Sequence, residues 1–201
     1  MLKLYDHPLS GNCYKVRLLL NQLGVRYEKV FVDIFRGEHK NEGFARLNPN
    51  MKLPVIDDNG FVMWESNAIL LYLVKKNPPL RYLSDDPGEY GRIVQWLIYG
   101  KTTVDPNFAI ARYYRKFLSE GQYDRESLLN LQNTSHAILE QLDKHFSSSD
   151  YMAGTYSVAD IACYPYISLS GEADISLDKY TNVRKWVSNI ENQPGYIPMD
   201  G

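Results

Sequence analysis

The chain has 201 residues, 22 Lys and Arg against 24 Asp and Glu, and a formal charge of −2 at pH 7. That length allows one large domain or two small ones, each with its own core, and the missing basic surplus excludes the phosphate neutralisation on which nucleic-acid binding depends. No apolar run of 18 residues occurs, and Met1-Leu2-Lys3-Leu4 leads straight into a strand, so neither a membrane span nor a signal peptide is expected.

Leu2 to Tyr5 reads as the first strand. The turn Pro8-Leu9-Ser10-Gly11-Asn12-Cys13 follows, then a helix whose Val16, Leu19, Leu20 and Leu23 repeat at i, i+3, i+4 and i+7, with Gly24 as its C-cap. Tyr27 to Val32 reads as a second strand, which completes β-α-β. Asp33 to Leu47 is polar and is expected to be a loop with at most a short irregular helix. Val55-Ile56, the turn signal Asp58-Asn59-Gly60 and Phe61 to Trp64 form a hairpin. Glu65-Ser66-Asn67 opens a third helix, with Ser66 as N-cap and Ile69, Leu70, Leu73 and Val74 as the apolar face.

Pro78-Pro79 and Pro87-Gly88 break the pattern, and beyond them only helical periodicity is found. Tyr90, Ile93, Val94 and Leu97 begin one helix, interrupted or bent near Asp105-Pro106. Leu128 to Leu142 mark another. Ser157-Val158-Ala159-Asp160 has the form of a capping box, with Asp for the usual Glu, and Val183, Trp186, Val187 and Ile190 form the last helix. The expected architecture is α/β plus all-α: a thioredoxin-like βαβ-ββα domain over 1–77, a linker over 78–88, and a helical bundle over 89–201.

Ser10 and Cys13 have the spacing of a Cys-x-x-Cys redox pair at a helix start, but with a hydroxyl where the attacking thiol would stand. Cys13 falls three and seven residues before Val16 and Leu20, on the apolar stripe, where a free cysteine acts as a small hydrophobe. Ser10 precedes the stripe. Its hydroxyl is either a plain N-cap or a donor aimed at an anion that the helix N-terminus also stabilises. Two cysteines in 201 residues fit a reducing, cytoplasmic setting, and sixteen tyrosines, each with an apolar face and a polar tip, suit a wet cleft or an interface.

Pro8-Leu9-Ser10-x-Asn12, His39-Lys40, Asn48-Pro49-x-x-Lys52-Leu53-Pro54-Val55, Glu65-Ser66-Asn67-Ala68-Ile69 and Tyr156-Ser157-Val158-Ala159-Asp160-Ile161 together resemble, in order and spacing, the motif series of the cytosolic glutathione transferases. The likeness runs from residue 2 to about 190. It is closest to the serine-type members, including bacterial and phi- or theta-like ones. The resemblance implies a detoxifying transferase that joins the glutathione thiolate to small apolar electrophiles, with glutathione as co-substrate, no metal, and a homodimeric state. It implies further that Ser10 hydrogen-bonds the sulfur, that Glu65 and Ser66 hold the γ-glutamyl end, and that the backbone of Leu53, before a cis Pro54, meets the cysteinyl part. His39, Lys40 and Lys52 are the cations placed for the glycyl carboxylate, or else a solvated basic loop.

The electrophile is expected between the Ser10 turn and the first helices of the second half, where Tyr99, Phe108, Arg112, Tyr113 and Tyr114 cluster; an aromatic stripe at that spacing is alternatively core. Tyr5, near the place of the hydroxyl in tyrosine-type classes, reads as a strand residue. A glutathione-dependent thiol-disulfide or peroxide reductase on the same scaffold is the rival activity, and a non-catalytic binding protein the rival of another class.

Overall fold

The structure, a computed structural model, describes residues 1–79 and 81–199. Its contacts divide the chain into two compact units, Met1–Arg81 with the segment from Pro194 onward, and Tyr82–Gln193.

In the first unit β1 (Leu2–Asp6), β2 (Tyr27–Phe31), β3 (Val55–Asp58) and β4 (Phe61–Trp64) form one sheet in the order β2-β1-β3-β4. β1 runs parallel to β2, with Leu4 opposite Lys29, and antiparallel to β3, with Leu4 opposite Ile56. The parallel pair requires a crossover, which α1 (Gly11–Leu23) supplies. The β3–β4 pair closes through Asn59 and Gly60, both at positive φ, a backbone suited to a two-residue hairpin turn, with the Gly60 N–H bonded to the Asp57 carboxylate at 2.7 Å. Leu4, Val16, Leu19, Leu20 and Ile56 are fully buried, with Ile69 and Leu73 of α3 (Ser66–Lys76). A second cluster of Val32, Phe44 and Val55 includes Tyr5, whose ring meets Phe44 edge-on at 6.2 Å. Tyr5 is thus a strand residue with a packing role. Between β2 and β3 the polar stretch carries one 3₁₀ turn, Glu38–Lys40, and a single-turn helix α2 (Glu42–Ala45) capped by Asn41.

The second unit has helices joined by loops, with no strand among its described residues. α4 (Pro87–Tyr99) starts with Asp86 as N-cap and Pro87 in the first turn, so the linker ends sooner than its Pro and Gly residues imply. Asp105-Pro106 does not interrupt the next helix. Gly100–Ala109 widens into a π-helix that takes in Pro106, whose ring lacks an N–H, and continues into α5 (Ile110–Phe117). α6 (Arg125–Phe146), α7 (Val158–Ser168) and α8 (Thr181–Glu191) complete the unit. The helical domain expected over 89–201 ends at Gln193. The segment from Pro194 belongs to the first unit, because side chains of α1 hold its backbone carbonyls.

Candidate active site

Ser10 closes the turn between β1 and α1. Its N–H donates to the His7 carbonyl at 2.9 Å, and its Oγ, at an extended backbone position (φ −85°), accepts from the Cys13 N–H at 3.3 Å. The N-cap and donor readings are compatible: the Oγ lone pair caps the helix, and the O–H, which hydrogen-bonds the Cys13 side chain, can turn to a bound sulfur. No acidic side chain occupies the first turn of α1, so nothing there offsets the partial positive charge of the helix end. Cys13 is fully buried, and burial pushes its thiol up to about 12, which leaves it protonated and inert near neutral pH.

Two residues that the sequence did not single out support this turn. His7 is 4% exposed, accepts the Leu9 N–H on Nδ1 at 3.2 Å, and packs against Phe31 and Phe35. Burial, with a smaller push from Arg17, holds its pKa below the ordinary histidine value against Asp33 and Asp6, so it is neutral at pH 7 with the proton on Nε2. Arg17, 1% exposed, pairs with Asp6 at 2.6 Å and reaches the carbonyl of Pro8 at 3.1 Å. A charge inside the apolar run Val16–Leu20 was the one available signal for Arg17. His7 carried none.

α3 begins beside α1. Glu65, and not Ser66, is the N-cap of α3, at φ +71° and ψ 107°. Such backbone is costly for a residue with a side chain, by roughly 1–3 kcal/mol, and strain of this kind concentrates at functional sites. Ser66 is the first helical residue. Instead of capping its own helix, its buried hydroxyl donates to Asn12 Oδ1 at 3.2 Å, which ties the start of α3 to the start of α1. The structure thus brings Ser10, Glu65 and Ser66 to one end of the two helices.

Leu53 is half-buried and joined to Pro54 by a cis bond, immediately before β3. Lys52 is exposed, and its carbonyl accepts from Asn48 Nδ2 at 2.7 Å. Lys40 ends the 3₁₀ turn, exposed. His39 differs from the two lysines. Its Nδ1 is buried with no hydrogen-bond partner among the described residues, and burial, with Lys40 adding to it, holds its pKa below the ordinary value. The shift favours the neutral imidazole, so Lys40 and Lys52 are the fixed charges among the three.

The aromatic residues of the second half do not form one cluster. Phe108 and Arg112 are interior, at 1% and 4% exposed, and Arg112 pairs with Glu172, which Lys116 also holds. Both side chains are packed inside the helical unit. Tyr99 is half-buried, edge-on to Trp96 at 5.2 Å, while Tyr113 exposes its ring and packs on Tyr114 and Phe117.

Among the described residues no group of three His, Cys, Asp or Glu could hold a metal ion, and no helix is long and apolar enough to cross a membrane. Sheet order, the crossover helix and a hydroxyl at its mouth define a thioredoxin-like domain with serine where a redox cysteine would stand, joined to a helical unit. Comparison with known proteins gives the family. Residues 1–75 match the model of the glutathione S-transferase N-terminal domain and residues 94–194 that of the C-terminal domain. Glutathione S-transferase D7 of Drosophila melanogaster is 28% identical over 199 residues, which span 97% of this chain and 87% of that protein. A glutathione S-transferase from Pseudomonas fluorescens has a similar structure, with a TM-score of 0.92 and 35% identity over 98% of both chains. A Pseudomonas putida glutathione transferase, solved with one glutathione disulfide bound per subunit, has a TM-score of 0.87 and 28% identity over 96% of this chain and 88% of its own. The chain belongs to the glutathione S-transferase family.

Proposed function

We propose that this protein conjugates the thiolate of glutathione to small apolar electrophiles, and that it works in the cytoplasm. The observation that carries the reading is the place of Ser10, a hydroxyl at the N-cap of α1, where the unpartnered N–H groups of the helix start also favour an anion. A thiol of the cysteine type titrates near 8.5, so only about 3% is thiolate at pH 7. One charge-assisted hydrogen bond and a helix end lower that pKa by roughly 1–2 units, which ionises roughly a quarter to three-quarters of the bound thiol. Ser10 is then a donor to the sulfur, neither base nor nucleophile.

In this reading the Ser66 hydroxyl and the start of α3 receive the γ-glutamyl carboxylate, Glu65 pairs with the α-amino group, and the Leu53 backbone meets the cysteinyl part. Lys40 and Lys52 supply charge at the glycyl end, with neutral His39 as a hydrogen-bonding neighbour. Of the residues proposed for the electrophile, Tyr99, Tyr113 and Tyr114 keep accessible surface, while Phe108 and Arg112 are buried.

The test is an assay of the purified protein with glutathione against a chloronitroarene, an organic hydroperoxide and a mixed disulfide, with Ser66→Ala in parallel. Conjugation is expected, with a higher glutathione KM in Ser66→Ala. Turnover of the disulfide alone, with no conjugate from any electrophile, would replace the transferase reading by the reductase one.

We further propose a homodimer. Phe61, Val62 and Met51 are exposed at 51%, 37% and 38%, and Phe61 and Val62 lie on β4, an edge strand of the sheet. Exposed apolar side chains on an open edge strand favour a partner, and a second copy is the simplest one. Sedimentation at micromolar concentration is expected to give twice the chain mass. A species at 23.2 kDa would overturn the dimer.

A further inference from the structure

Whatever fixes the carbonyls of the β1–α1 turn fixes Ser10, because the Ser10 N–H hangs on the His7 carbonyl at 2.9 Å. Arg17 lies seven residues after Ser10, two turns along the same side of α1, and helical side chains lean back toward the helix start. From there its Nη1 donates to Asp6 Oδ1 at 2.6 Å and to the His7 carbonyl at 3.5 Å, and its Nη2 to the Pro8 carbonyl at 3.1 Å. One guanidinium thus holds two of the three carbonyls between strand and serine.

The remaining partner of Nη2 comes from far along the chain, the carbonyl of Met199 at 2.8 Å. The segment that carries it is seated on α1. Tyr14 Oη donates to the Ile197 carbonyl at 2.6 Å, and Asn21 Nδ2 to the Gly195 carbonyl at 2.9 Å. Tyr14, Arg17 and Asn21 form a stripe at helical spacing, and they meet alternate carbonyls, 195, 197 and 199, of the segment. Gly195 has φ +75°, and a Cβ there would lie 2.9 Å from Gln22 Cα, so the approach to the helix requires glycine.

We propose that Arg17 is a positioning residue for Ser10, and that the segment Pro194–Met199 is the strap that holds the Arg17 fork on the turn. A guanidinium is a rigid planar donor. With Met199 in place, Nη2 is held between two fixed carbonyls, and the turn cannot drift without breaking both bonds. Without the strap the fork loses an anchor, and the Ser10 hydroxyl loses its fixed distance to the sulfur. The inference rests on the reading of Ser10 as donor to the glutathione thiolate.

The test titrates the thiolate of bound glutathione by its ultraviolet absorbance, and kcat against pH, in the full chain, Arg17→Lys and a chain ending at Gln193. Both variants are expected to ionise the bound thiol at higher pH. kcat at pH 6.5 should fall about three- to tenfold, converge on wild type above pH 9, and leave the glutathione KM within about twofold. A loss equal at every pH would mark a purely structural role and overturn the proposal, as would an unchanged titration in the shortened chain. Should that chain not fold, Tyr14→Phe decides, since it removes one hydroxyl of α1 that holds the strap: the same upward shift supports the proposal and an unmoved profile overturns it. Ser10→Ala separates the two levels. If it leaves the titration unmoved, the donor reading itself fails; if it shifts the titration and the strap variants do not, only the strap fails.

Discussion

Replacing Ser10 with alanine is expected to lower kcat/KM for conjugation by roughly one to two decades, the kinetic equivalent of a charge-assisted hydrogen bond of about 1.5–3 kcal/mol. The loss should fall on kcat at neutral pH and shrink as the pH approaches the unassisted thiol pKa. Stability should fall as well, by about 0.5–2 kcal/mol, because the same oxygen caps α1 through the Cys13 N–H. Cys13→Ala is the matched control. Its thiol is fully buried and held up near 12, so its removal should leave the pH profile and kcat/KM within about twofold of wild type. The assignment fails if the pattern is reversed, with Ser10→Ala active and Cys13→Ala impaired.

Asp160→Ala is expected to destabilise the helical unit by about 3–5 kcal/mol, a fall in Tm of roughly 6–20 °C. Asp160 is completely buried and accepts four hydrogen bonds, from the N–H of Met152 at 2.9 Å, the indole of Trp186 at 2.8 Å, and the N–H and hydroxyl of Ser157 at 3.0 and 3.3 Å. It completes the capping box of α7, holds the preceding loop, and orients Trp186, which stacks on Phe146. Alanine would leave those donors buried without an acceptor, and that desolvation cost, more than the lost bonds, sets the size of the effect.

The same site makes the effect depend on pH. Burial pushes the Asp160 carboxyl up to about 6 against its hydrogen bonds, so the folded state holds this proton more tightly than the unfolded one. The contribution is fully present below about pH 4 and is lost as the pH rises through 6. The gap in Tm between wild type and Asp160→Ala should therefore narrow from pH 4 to 6.5 without closing, because the four donors remain. Calorimetric melts at pH 4.5 and pH 7 check both statements. An alanine variant that melts within about 2 °C of wild type would refute the central role of this carboxylate.

What the sequence by itself determined is what depends on neighbours within a few residues. The period of Val16, Leu19, Leu20 and Leu23, the Asn59-Gly60 turn, the Ser157–Asp160 box and the place of Ser10 before an apolar stripe are local patterns. In each, the residue and its partner lie within one or two turns, and the structure has them as read. The order of the motifs was enough to reach the family. Reading at short range failed where two local options were close in energy. Ser66 had the composition of an N-cap, but the cap fell on Glu65 once Asn12, 54 residues away, accepted the serine hydroxyl. Pro106 marked a bend, and the chain absorbed it in a π-helix.

Only the tertiary structure decided the rest, because burial is a property of the assembled core. It buried His39 Nδ1 and lowered the pKa of the ring, which the polar composition of the loop does not show. It sent Phe108 and Arg112 inward and left Tyr113 outside, a division that spacing on one helix cannot make, since the helices packed against it choose which face is covered. It gave the acceptor Asp160 a partner, Trp186, 26 residues on. It also returned Gly195, Ile197 and Met199 to α1, across some 180 residues, through bonds to backbone carbonyls that every residue carries. On the segment itself such contacts leave no mark in side-chain identity beyond a single glycine, and so they can be found only where the chain has closed on itself.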